Sequence, residues 1–146
     1  MRRCKLVVGL VCAAGVMLGS GCGQGRPKLV KVSGQILIDG QPLPKAAIQV
    51  LPQGGRPATA TSDEQGRFTL TTFESGDGVM PGTHPVIVVA ITNPKPGLQT
   101  LYCPEKYGDP ATSDLKLTVD KPTDQAKIEL TWGGLKGPIM RKVDTE

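Results

Sequence analysis

Between residues 30 and 132 this chain is governed by alternation: apolar and polar residues exchange at every second position in short runs closed by glycine, proline or aspartate. A period of two places successive side chains on opposite faces of an extended backbone, so such runs make half-buried strands rather than helices. In LVKVSGQILID, Val30, Val32, Gly34, Ile36 and Ile38 share one face, and Lys31, Ser33 and Gln35 the other. Asp39 and Gly40 then turn the chain, and AAIQVLP supplies a second strand with Ile48 and Val50 inward, after Pro42 and Pro44 have denied it an earlier ladder. PATATSD reads as a weak edge strand and Asp63 to Gly66 as a turn in which Gly66 takes a positive φ. RFTLTTF carries Phe68 and Leu70 inward, and Phe73, out of phase, places a bulge or strand end near Thr72.

Val86 to Ile91 are apolar without a break, which predicts a central strand covered on both faces. Two alternating runs close the domain, Leu115, Leu117 and Val119, then Ala126, Ile128, Leu130 and Trp132. Seven short strands and no amphipathic helix predict an all-β domain, a seven-stranded antiparallel β-sandwich over residues 29–132. Gly133, Gly134, Gly137 and Pro138 predict that residues 133–146 form a disordered tail.

Ahead of the domain, Arg2, Arg3 and Lys5 precede an apolar run of thirteen residues, Leu6 to Leu18. As a helix this run reaches only about 20 Å, short of the roughly 30 Å hydrocarbon core, so residues 1–21 read as a cleavable helical signal peptide rather than a span. Removing them changes the accounting. The full chain has 17 Lys+Arg against 13 Asp+Glu; three cations leave with the leader, and the remainder carries a net +1. No block of like charge remains as a footprint for nucleic acid. Cys4 and Cys12 also leave.

Ser20, Gly21 and Cys22 resemble a bacterial lipobox, with Gly19 standing where leucine is usual. The resemblance implies acylation of Cys22, a lipid anchor in a membrane and export to the cell envelope, with residues 22–28 as a flexible tether. Ordinary cleavage near Ser20 or Gly21 is the alternative. With Cys22 acylated, Cys103 stands alone and no intrachain disulfide forms.

The order VSGQILIDGQPLPKAAIQV, TSDEQGRFTL, GDGVMPGTHPVIV resembles the carboxypeptidase regulatory-like, transthyretin-like β-sandwich family. PEKYGDPATSDLKLTV further resembles a branch of small, planctomycete-type bacterial lipoproteins that carry this single domain behind a short leader; Asp114 replaces that branch's usual glycine. The resemblance implies an immunoglobulin-like Greek-key sandwich and no catalytic centre of its own. The shared Gly34, Gly40, Gly66, Phe68, Pro81 and Gly82 are fold determinants.

Chemistry is sparse. His84 is the sole histidine and has no partner at metal-ligand spacing, so neither a catalytic nor a metal site is expected, and no cofactor. A transthyretin-like hydrolase that acts on 5-hydroxyisourate uses several histidines and a C-terminal Tyr-Arg-Gly-Ser; this chain ends in VDTE. Asp63 with Glu64 and Glu74 with Asp77 lack calcium-loop spacing and suit turns better. A lysine isopeptide crosslink fails too, because Lys31 lies on the solvent phase and QAKIELTW offers no Asn or Asp.

The irregular stretch ITNPKPGLQTLYCPEKYGDPATSD exceeds the roughly 12 to 15 residues usual for a structureless connection. It is the expected partner-binding loop, with Tyr102 and Tyr107 as flat amphipathic contacts and Glu105 and Lys106 as polar ones. Against this, Tyr102 and Cys103 can simply plug the end of the sandwich, and Cys103 can crosslink partners in an oxidising envelope. The expected function is a non-catalytic, lipid-anchored module that binds an envelope protein or fills a structural role. The alternative is a carbohydrate-binding module, poorly supplied by five aromatics.

Overall fold

The structure, a computed structural model, describes residues 25–143. The expected leader, residues 1–21, and Cys22, the expected lipidation site, lie outside the described residues. Eleven strands form among the described residues: β1 (Val32–Ile38), β2 (Gln41–Pro42), β3 (Ala47–Val50), β4 (Ala58–Thr61), β5 (Arg67–Thr69), β6 (Gly82–Val89), β7 (Ile91–Lys95), β8 (Leu98–Leu101), β9 (Lys116–Val119), β10 (Thr123–Leu130) and β11 (Ile139–Lys142). The fold is all-β, with one 3₁₀ turn at Glu105–Gly108.

In the first sheet β1 is central, flanked by β10 on one side and by β2 and β5 on the other. The second runs β4-β3-β6-β9 and the third, smaller one β11-β8-β7. Buried residues of the first two sheets, among them Ile36, Phe68 and Ile128 from one and Ile48, Val86 and Leu117 from the other, join a single core cluster. The alternation behind this is plain in β3, where Ile48 and Val50 are buried and their neighbours exposed. β4, small and threonine-rich, ends its sheet, although its outer side is not wholly open: Thr59 and Thr71 exchange paired backbone hydrogen bonds. Asp39 (φ 47) and Gly40 (φ 78) both adopt the left-handed region, which a two-residue hairpin from β1 into β2 requires.

Four expectations are corrected. First, eleven strands form where seven were expected, and the sheets are not wholly antiparallel: β1 and β10 run parallel, Val32 opposite Thr123 and Ile38 opposite Leu130. Periodicity fixes which face a residue takes but says nothing of a partner's direction. Second, β6 is covered fully on one face and only partly on the other. Val86 and Val88 are buried, Ile87 is half-buried and Val89 is 40% exposed, and beyond it Ile91 of β7 is 37% exposed. Third, the supposed structureless connection contains the β7–β8 hairpin and the 3₁₀ turn. Fourth, the tail carries β11, paired with β8 from Ile139 opposite Leu101 to Lys142 opposite Leu98. Gly137 lies against the Trp132 indole, close enough that a Cβ there would fall 1.9 Å from Cε2.

Strand direction gives the domain two poles. Residues 25–31, the loop after β3, the loop between β5 and β6 and the β9–β10 turn gather at one end, tied by paired hydrogen bonds between Val30 and Val79 and by the pairing of Gly82 with Val119. The β1–β2 turn, the β4–β5 turn, the β7–β8 hairpin, the 3₁₀ turn and β11 gather at the other. Here the Tyr107 hydroxyl joins the 3₁₀ turn to Thr131, beyond the end of β10.

Candidate functional site

The end opposite the N-terminal segment holds all the residues singled out for partner binding, in unequal positions. Tyr102 is 36% exposed and lines a small cleft of ≈ 130 Å³ with Pro44, Lys45, Glu64 and Ile91. Tyr107 instead enters the core at 4% exposure. Its hydroxyl donates to the Thr131 carbonyl at 3.3 Å and accepts the Thr131 N–H at 3.1 Å, so it is a packing residue with a satisfied polar tip. Lys106 lies over its ring, the ammonium 4.8 Å from the centroid. Glu105 pairs at 2.7 Å with Arg141 of β11, whose Nε also donates to Gln99 at 2.8 Å. An exposed ion pair adds little stability, but the two contacts orient β11 on β8.

Cys103 is buried, and its thiol points to the Val88 carbonyl at 3.8 Å. Desolvation pushes its pKa up, and a backbone hydrogen bond from Ala90 only partly offsets this. A buried, protonated thiol is a poor crosslinking group, and Cys103 acts as the plug between β6 and the 3₁₀ turn.

Sequence reasoning missed the exposed apolar side chains around these residues. Seven large hydrophobic residues are exposed among those described, and six of them, Val89, Ile91, Tyr102, Leu135, Ile139 and Met140, are at this end. Cross-strand pairing sets Ile91, Leu101 and Ile139 in one row across the small sheet, with Leu101 buried between its half-exposed neighbours. Met140, in β11, is 70% exposed. A cleft of ≈ 270 Å³ beside the row is lined by Val89, Ile91, Cys103, Pro104 and Glu105. The available signal was PIMRKV, a short apolar and basic run directly after the glycines, which the glycines overshadowed.

Elsewhere the polar side chains are committed to the backbone. The Ser62 hydroxyl donates to the Leu43 carbonyl at 2.6 Å and accepts from the Ala46 N–H, and Ser113 donates to the Val86 carbonyl at 2.7 Å. His84 is buried and its Nε2 donates to the Met80 carbonyl at 2.8 Å. Asp63 accepts from the Gln65 and Arg67 N–H groups, closing its turn. No buried side-chain nitrogen or oxygen lacks a partner among the described residues. In the same set, no three His, Cys, Asp or Glu side chains gather as a possible metal site. Compared with family models, curated proteins and solved structures, the chain matches none.

Proposed function

We propose that this is a non-catalytic cell-envelope module, exported and held in a membrane by acylated Cys22, which binds an envelope protein through the apolar end of its domain. The observation that carries the reading is the gathering of six of seven exposed large hydrophobic residues at the end remote from the N-terminal segment. Scattered apolar residues need no explanation, but six of them gathered at one end of the domain, around an open-edged small sheet, match the composition of a protein interface. A tether at one end and a binding surface at the other is a workable geometry for an anchored adaptor.

The transthyretin-like, carboxypeptidase regulatory-like sandwich is the fold family we assign. The single core shared by two sheets and the turn chemistry at Asp39, Gly40 and Gly66 support it. The carbohydrate-binding alternative loses ground because Tyr107 is buried and Tyr102 alone among the aromatics is exposed at this end. Stacking platforms for sugars need more than one accessible ring.

Photo-crosslinking in intact cells tests the proposal. A photoreactive side chain at Ile139, in the same cross-strand row as Ile91, is expected to give a discrete protein adduct that disappears when Ile91→Glu is added. Absence of any protein adduct from position 139 overturns the reading, and glycan binding abolished by Tyr102→Ala replaces it with the alternative. Intact mass of the membrane-extracted chain decides the anchor: two or three acyl chains on Cys22 support it, and an unmodified chain overturns it.

A further inference from the structure

The seventh exposed hydrophobic residue is Phe73, and it stands alone at the opposite end. Two guanidinium groups flank its ring, Arg26 at 5.7 Å and Arg56 at 5.5 Å from the centroid. Arg26 also pairs with Glu74, while Arg56, Lys28 and Lys31 have no acidic side chain within ion-pair distance among the described residues. Of the other acids of this end, Asp77 is closed on its own loop by the N–H groups of Thr72, Phe73 and Glu74, Asp120 is followed by Lys121, and Asp124 is exposed at the start of β10; these stand against the unpaired cations Lys28, Lys31 and Arg56.

The chain itself limits what this patch can face. Cys22 is four residues before Arg26, and an extended chain covers at most about 3.5 Å per residue, so an acylated Cys22 holds Arg26 within about 14 Å of the lipid surface. That distance is comparable to the screening length of about 8 to 10 Å at ordinary ionic strength, so the cations feel the surface charge. An exposed aromatic ring framed by arginines suits an interface: the ring enters the boundary between headgroups and acyl chains while the guanidinium groups stay at the phosphates.

We propose that the Arg26–Phe73–Arg56 cluster docks the domain face-down on an anionic phospholipid surface, so that the lipid anchor is a two-point attachment and the apolar end is held pointing away from the membrane. The proposal rests on acylation of Cys22. Cation–π contacts keep the guanidinium groups over the ring before docking, which reduces the ordering needed on contact.

The experiment uses the membrane-extracted full protein carrying Phe73→Trp, reconstituted into vesicles of phosphatidylglycerol or phosphatidylcholine brominated on the acyl chains. Trp132, buried at the opposite end, is the internal reference in the parent protein. In phosphatidylglycerol the indole at position 73 is expected to shift to the blue and to be quenched, and both effects are lost when Arg26→Glu and Arg56→Glu are added. An acylated protein whose position-73 indole is unquenched overturns the proposal alone. Equal quenching in both lipids, unaffected by the arginine substitutions, also overturns it, because charge would then play no part. A chain that intact mass shows to be unacylated removes the anchor and the proposal together.

Discussion

At Gly34 a single missing atom decides whether the parallel pair can form. A Cβ there would fall 1.9 Å from the Ala126 carbonyl oxygen, where the β1–β10 register shifts, so no side chain fits without moving the backbone. Gly34→Ala is expected to destabilise the domain by about 1 to 3 kcal/mol, the usual cost of overpacking, read as a lower denaturation midpoint. Asp77 works through charge. Desolvation raises its pKa, but the backbone N–H groups of Thr72, Glu74 and Phe73 outweigh this and hold it below the ordinary 3.8. A lowered folded pKa gives stabilisation that is complete above the unfolded value and is lost as pH falls through the folded one. Amide protection over residues 72–78 is therefore expected to fall in acid below 3.8, and Asp77→Asn to flatten that profile. For Cys103 the buried, raised-pKa thiol predicts no alkylation in the folded chain and rapid alkylation after unfolding. A disulfide-linked dimer on nonreducing electrophoresis would refute it.

At the scale of elements, the most informative is β11. Its residues are exposed throughout, so it gains little from burial and is held by its ladder to β8, the Arg141 contacts and the closeness of Gly137 to Trp132. Gly137→Ala would drive a Cβ into the indole and is expected to release the strand. Hydrogen exchange at residues 139–142 should rise to the rate of an open chain while the β1–β10 pair keeps its protection; unchanged exchange would show that the tail relaxes around the methyl group. Strands β1, β3, β4 and β5 were legible because each has one buried face and a turn with distinct chemistry, as at Asp39–Gly40 and Gly66. β7, β8 and β11 were not, because Ile91, Leu98, Ile139 and Met140 do not alternate cleanly in burial on a small, half-covered sheet. Tyr107 shows the same limit: a tyrosine in a loop looks alike in sequence whether its ring is on the surface or, as here, in the core.

Over the whole molecule, the parallel β1–β10 pair joins residues as distant as Val32 and Thr123, so nearly the entire domain must be gathered before that ladder closes. Such long-range pairing is slow, and refolding in milliseconds to seconds rather than microseconds is expected in stopped-flow measurements. The same topology puts the N-terminal segment and Phe73 at one end and the apolar row of Ile91, Leu101 and Ile139 at the other. That separation is what the proposed tether and the proposed binding surface need in order to act without obstructing each other.

The sequence by itself determined that the domain is all-β, which residues of its main strands point inward and where its principal turns fall, because a period of two and the φ demands of glycine and proline are local properties. It also carried the expectation of a leader and a lipid anchor at Cys22, which lie outside the described residues. Only the tertiary structure decided that β1 and β10 run parallel, that Tyr107 is core, that the tail contributes a strand, and that Arg26, Arg56 and Phe73 meet. These are contacts between residues far apart in the chain, chosen by which surfaces remain to be covered once the strands have formed, and no local pattern records that choice.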